Sequence, residues 1–324
     1  MSEWEISTTK SDLVSIGTHQ LFVSVSGPIR HLSEGSGVTT KDPVVICFPG
    51  SGESSSSWPR VQEGVSKFAR IVLYDRSGLG RSDEAPDLPG KKAVAAAKEL
   101  YALLKVTQIS GPYILVAHSY GAIIAREFLH LSSDDVAGMV LADGATERQP
   151  EYFHLPDPNI DAVLGNLNFA EITGLKAGAQ LSRDEWKTRA IDIFQRFKAY
   201  ASETAAFYEV CATLREKKQL RRKVLGSRPL SIVKCCSAAD YEKIYEAGVR
   251  AGNGTPEQQQ KFRQWLDGWD NYSKMMQKEV LQLSTCSRWV DLPDCGHNIN
   301  LWRPDVLVRE TQWVIQNMAS KPSL

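Results

Sequence analysis

Tyr113-Ile114-Leu115-Val116-Ala117-His118-Ser119-Tyr120-Gly121 is an apolar run that ends on a serine flanked, two places either side, by Ala117 and Gly121. A continuous apolar stretch such as Tyr113–Ala117 predicts a strand buried on both faces. The residues from Tyr120 to about Leu131 carry a helical pattern, so Ser119 falls on the turn between strand and helix. The small residues around it let strand and helix approach closely. A serine in that position is forced into a strained backbone conformation that projects its hydroxyl from the carboxyl edge of a sheet. The N–H of Tyr120, at the start of the helix, then faces the place where negative charge would develop on an attacked carbonyl.

Working outward, the same alternation of short apolar runs and helical patterns continues. Strands are predicted at Leu21–Val25 (alternating, hence antiparallel), Val44–Phe48, Ile71–Tyr74, Met139–Ala142, Leu230–Val233 and Ser287–Leu292. Helices are predicted at Trp58–Phe68, Lys92–Leu104, Pro256–Leu283 and Pro304–Met318. Gly27–Asp42 is rich in Gly and Ser and reads as a surface loop, and Lys234–Ala239 as a short loop leading to Asp240. From Thr146 to Ser227 no strand pattern occurs, only helical ones such as Asp184–Tyr200 and Glu203–Lys218. The expectation is an α/β fold with a mostly parallel eight-stranded sheet flanked by helices. Residues 1–145 and 228–324 would form its core, with a helical addition at 146–227 after the sixth strand.

Composition narrows the partners. With 38 Lys+Arg against 38 Asp+Glu the formal net charge is zero, which argues against nucleic acid and against charge-steered substrates. No apolar run reaches the roughly 18–20 residues that span a bilayer. The N-terminus Met1-Ser2-Glu3-Trp4-Glu5 is acidic and polar rather than signal-like, so a cytoplasmic chain without membrane contact is expected. Six cysteines (47, 211, 235, 236, 286, 295) and six histidines (19, 31, 118, 130, 154, 297) form no cluster at metal-ligand spacing. The cysteines read as buried thiols, and no metal is expected.

Three further segments stand beside the serine turn. They are Phe48-Pro49-Gly50-Ser51-Gly52, then Tyr74-Asp75-Arg76-Ser77-Gly78-Leu79-Gly80-Arg81-Ser82, then Asp294-Cys295-Gly296-His297-Asn298-Ile299 ahead of Arg303-Pro304-Asp305. Together, and in this order, the four resemble the α/β-hydrolase superfamily, in particular its lidded, serine esterase-like members. The resemblance covers nearly the whole chain outside 146–227. It implies Ser119 as nucleophile, His297 as its base, and the N–H groups of Ser51 and Tyr120 as the oxyanion hole. Ala117 stands where the family usually has glycine, and Pro49 where it usually has histidine. Asp75 and Arg76 would tie loops together, and His118 would pack. For the acid two positions stay open: Asp143, after the sixth strand, is preferred, and Asp240, after the seventh, is the alternative.

The implied activity is hydrolysis of a carboxylic ester, thioester or lactone through an acyl-enzyme, without a cofactor. The substrate would be a small to medium, largely uncharged molecule, held under a helical lid whose bulky residues include Phe153 and Phe207. An acyltransferase, a C–C hydrolase, a lyase or a ligand receptor could be built on the same frame.

Overall fold

The computed structural model describes residues 2–30, 32–35, 38–86 and 92–318. Eight strands form the main sheet: β1 (Thr9–Ser15), β2 (Gln20–Ser26), β3 (Val44–Phe48), β4 (Arg70–Tyr74), β5 (Tyr113–His118), β6 (Val136–Ala142), β7 (Leu230–Cys235) and β8 (Ser287–Leu292). Their order is β1-β2-β4-β3-β5-β6-β7-β8. β2 runs antiparallel to β1 and β4, and every other pairing is parallel.

The central strands are apolar throughout because helices cover both faces of the sheet. Successive side chains point to opposite sides, and the core divides accordingly. Ile46, Phe48, Leu115, Ala117 and Leu141 join one apolar cluster, whereas Val45, Cys47, Ile114, Val116 and Val140 join the other. The first cluster is completed by α2 (Lys92–Thr107) and α3 (Gly121–Leu131), through residues such as Leu100, Ile123 and Phe128. The second is completed by α1 (Pro59–Val65) and by a C-terminal helix, Pro304–Gln316, through Val61, Val65, Val306, Leu307 and Val314. Each such buried side chain contributes about 1.5–3 kcal/mol relative to exposure.

Between β6 and β7 the chain is helical. The longer pieces are α4 (Arg183–Gln195), α5 (Phe197–Ala205) and α6 (Phe207–Glu216). The single helix expected over Asp184–Tyr200 is therefore two, broken at Arg196, whose Nε donates to the Gly80 carbonyl at 3.1 Å. After β7 come α7 (Ser237–Arg250) and α8 (Pro256–Val280). Phe153, Ile160 and Val163 share a third apolar cluster with Ile244, Phe262, Leu266, Trp269 and Met276, so the start of this segment packs on α7 and α8, whereas α6 joins the first cluster through Phe207, Val210, Cys211 and Leu214.

Two loop expectations give way to regular structure. Within Gly27–Asp42, Leu32–Gly35 and Val38–Lys41 pair as a separate antiparallel hairpin. Residues 31, 36 and 37 of that stretch lie outside the described residues. Four-residue strands are too short for alternation to register against a Gly/Ser-rich background. The stretch Lys234–Ala239 is likewise no loop. β7 extends to Cys235 and α7 begins at Ser237, which places Asp240 in the first helical turn.

Candidate active site

The site is assembled on the carboxyl ends of β5, β6 and β8. Ser119 has φ 52°, a left-handed conformation costing about 1–3 kcal/mol in a residue with a Cβ. Its N–H donates to the Ala142 carbonyl at 3.2 Å, and its own carbonyl accepts from Ala145 N–H at 3.0 Å. The helix that follows can start this close to β3 only because residue 121 is glycine. A Cβ there would lie 2.1 Å from the Phe48 carbonyl oxygen. At residue 117, by contrast, the methyl of Ala117 is accommodated in the core.

Asp143 meets this serine from the end of the next strand, β6, and His297 from the loop after β8. His297 Nε2 lies 3.0 Å from Ser119 Oγ, and His297 Nδ1 lies 2.6 Å from Asp143 Oδ2. Asp143, like Ser119, is left-handed (φ 41°), and its N–H donates to the Val233 carbonyl at 2.7 Å. Its other carboxylate oxygen accepts from Gln277 Nε2 at 2.8 Å and from Cys235 N–H at 3.3 Å. Burial alone would raise the Asp143 pKa. The hydrogen bond and charge of His297, with the Gln277 bond, outweigh it and hold the carboxyl below its ordinary value. For His297 burial acts to lower the pKa, and the Asp143 bond and charge overcome it, leaving the imidazole above its ordinary 6.5.

Asp240 reaches the same loop differently. Its Oδ2 accepts from the backbone N–H of His297 at 2.8 Å, so it holds the histidine's peptide and not its ring. A Cβ on residue 296 would lie 2.4 Å from that oxygen, which is why Gly296 precedes the histidine. Burial raises the Asp240 pKa against the stabilising His297 N–H. His118, expected only to pack, does more: its Nε2 lies 2.8 Å from the His297 carbonyl oxygen, so both backbone polar groups of His297 are held. Ser51 and Tyr120 line the pocket in front of Ser119, and their N–H groups have no acceptor among the described residues.

Residues 45–310 match the model of the alpha/beta hydrolase family. The chain belongs to that family. A protein of Gibberella zeae described as an AB hydrolase superfamily protein is 27% identical, over 97% of this chain and 98% of its own length. A probable transporter of Hormonema carpetanum, efuK, is 32% identical over the whole chain, which spans only 45% of that protein. Among solved structures, the enol-lactonase of Burkholderia xenovorans covers 94% of this chain and all of its own at TM-score 0.60 and 16% identity. An epoxide hydrolase-like protein of Pseudomonas aeruginosa covers 97% of this chain and 98% of its own at TM-score 0.62 and 13% identity. These likenesses establish the fold. Among the described residues of this alpha/beta hydrolase, no helix is long and apolar enough to cross a membrane.

In this family member the cavity over Ser119 encloses about 130 Å³. Its walls are largely apolar: Phe153, Leu155 and Phe207 come from the segment after β6, and Tyr241, Trp269 and Met276 from α7 and α8. Asp75 and Arg76 lie just behind it. Asp75 accepts from the N–H groups of Ser55 (2.7 Å) and Arg81 (3.0 Å), and Arg76 donates to the carbonyls of Pro49 (2.8 Å) and Gly50 (2.7 Å). No group of three or more His, Cys, Asp or Glu side chains is arranged to hold a metal among the described residues. Gln277, and two glutamates that accept from the loop after β3, Glu53 (from Gly50 N–H) and Glu203 (from Gly52 N–H), were not foreseen from the sequence. Gln277 and Glu203 are ordinary polar residues on helices with no motif around them, and Glu53 stands just past the Phe48–Gly52 segment. Only the fold brings Gln277 and Glu203 across more than a hundred residues to the site.

Proposed function

We propose that the chain is a serine hydrolase that cleaves a carboxylic ester, thioester or lactone through an acyl-enzyme. The observation that carries this reading is the unbroken relay from Ser119 Oγ through His297 (3.0 Å to Nε2, 2.6 Å from Nδ1) to Asp143. Nδ1–H donates to Asp143, which fixes the tautomer and leaves the Nε2 lone pair to accept the serine proton. Ser119 Oγ attacks the substrate carbonyl, and the proton passes to Nε2. The developing oxyanion is received by the N–H groups of Ser51 and Tyr120. Collapse of the tetrahedral intermediate breaks the bond to the alcohol or thiol, which leaves with the proton from His297. A water then repeats the sequence and releases the acid. Asp143 stays ionised throughout and balances the imidazolium.

The cavity size and its apolar walls favour a small to medium, largely uncharged acyl group or lactone ring, with the helices between β6 and β7 acting as its lid. The test compares wild type with Ser119→Ala on p-nitrophenyl esters of short and medium acyl chains, together with labelling by a fluorophosphonate probe. The expected result is labelling at Ser119 and a fall in turnover of about 10⁴-fold or more in the variant. Ester turnover retained by Ser119→Ala, or a folded wild type that takes no label, overturns the reading.

A further inference from the structure

The loop after β3 presents successive N–H groups at Gly50, Ser51 and Gly52, and the outer two are turned onto carboxylates. Gly50 N–H donates to Glu53 Oε2 at 3.2 Å and Gly52 N–H to Glu203 Oε2 at 2.8 Å. Ser51 between them lines the cavity over Ser119. The two carboxylates differ in origin. Glu53 belongs to the loop itself, whereas Glu203 comes from α5, far along the chain.

Glu203 is also the more connected. Its Oε2 accepts from Ser51 Oγ at 3.0 Å as well as from Gly52 N–H, and its carboxylate takes two bonds from Arg76, Nε to Oε1 at 2.8 Å and an Nη to Oε2 at 3.1 Å. Arg76 in turn grips the carbonyls of Pro49 and Gly50. The loop is thus held on its carbonyl side by Arg76 and on its N–H side by Glu203, and the two holders are bonded to each other. The arginine also offsets a negative charge that would otherwise oppose an oxyanion nearby. A second strut comes from α4, where an Nη of Arg189 lies 3.5 Å from Glu53 Oε1 and Arg189 Nε donates to Ser57 Oγ at 3.1 Å.

We propose that Glu203 is a positioning residue for the oxyanion hole: by fixing Gly52 N–H and Ser51 Oγ it sets the direction of the Ser51 N–H, so the seating of α5 and the completion of the hole are one event. The proposal rests on the serine-hydrolase reading above. Without the Glu203 carboxylate, the Ser51 peptide loses the restraint on its C-terminal side and Arg76 loses its anion. A displacement of about 1 Å at such a donor costs on the order of 100-fold in rate.

The experiment measures hydrogen–deuterium exchange of the segment 49–53, kcat and KM for the best p-nitrophenyl ester, and the fluorophosphonate labelling rate. It does so in wild type, Glu203→Ala, the near-isosteric Glu203→Gln, and Lys198→Ala, an exposed control on the same helix. Expected are faster exchange in 49–53 and kcat lower by about 100-fold in Glu203→Ala and about tenfold in Glu203→Gln. The labelling rate falls in parallel, KM stays nearly constant, and Lys198→Ala is unchanged. Unaltered exchange in 49–53 in either folded Glu203 variant, or kcat within about twofold of wild type, overturns the proposal; a role confined to stability would lower Tm and leave kcat alone. A wild type with neither ester turnover nor labelling overturns the serine-hydrolase reading instead. Exchange then stands as an independent measure, and equal exchange in wild type and both Glu203 variants overturns the tether as well.

Discussion

Two carboxylates approach one histidine from neighbouring strand ends, and they do different work. Asp143 stands directly at the end of β6, and the left-handed turn there aims its carboxylate at the His297 ring. Asp240 stands in the first turn of α7, and its carboxylate meets the His297 backbone N–H. The contrast teaches that the backbone element behind an acid decides its role. A strand end can face the cavity, whereas a first helical turn beside a loop is a natural place to receive that loop's N–H. Both contacts orient His297, and both carboxylates raise its pKa, Asp143 through a ring hydrogen bond and its charge and Asp240 through its charge alone.

The comparison is broken most severely by Asp143→Asn. With the tautomer no longer enforced, kcat is expected to fall about 10⁴-fold. The residual activity should also titrate differently. His297 must be neutral to act, and Asp143 is the main influence raising its pKa, so the acid limb of the pH–rate profile should move to lower pH in the variant. A loss below tenfold, or a limb that stays in place, would refute this assignment.

Gly296→Ala probes the junction between the two. A Cβ 2.4 Å from the Asp240 carboxylate must push it off the His297 N–H, and the histidine with it. Steady-state kinetics should show roughly a tenfold to hundredfold loss in kcat, from misplacement of the base. Wild-type kcat in a folded Gly296→Ala protein would mean that Asp240 is dispensable for placing the loop. The smallest effect is expected from Asp240→Asn. The amide oxygen still accepts from the His297 N–H, so kcat should stay within about fivefold of wild type, the equivalent of about 1 kcal/mol. A loss matching Asp143→Asn would reverse the two roles.

These differences mark where the sequence is legible. The buried strands and Ser119 with its flanking small residues could be read because their signals are local: an apolar run, a turn, a helix start. Ser51 and His297 could be placed because their segments resemble a family in a fixed order. For the acid the sequence supports a preference for Asp143 over Asp240 and no more, because the fact that separates their contacts is that α7 begins at Ser237, and no pattern in Cys235-Cys236-Ser237 announced it. Gln277 and Glu203 were invisible for a related reason. Glutamine on a long polar helix and glutamate on a short one read as ordinary solvent-facing residues, until packing turns them inward.

The hydrogen bonds of Ser119 and Asp143 have a thermal consequence. Ser119 N–H is bonded to the last residue of β6, and Asp143 N–H to a residue of β7, so the two positions form successive treads of one staircase across the sheet. Neither can relax its left-handed backbone unless the ends of β5, β6 and β7 unzip together. Heat is therefore expected to disturb this half of the candidate site only by melting the sheet, and the Ser51 side, braced from α5, is expected to open separately.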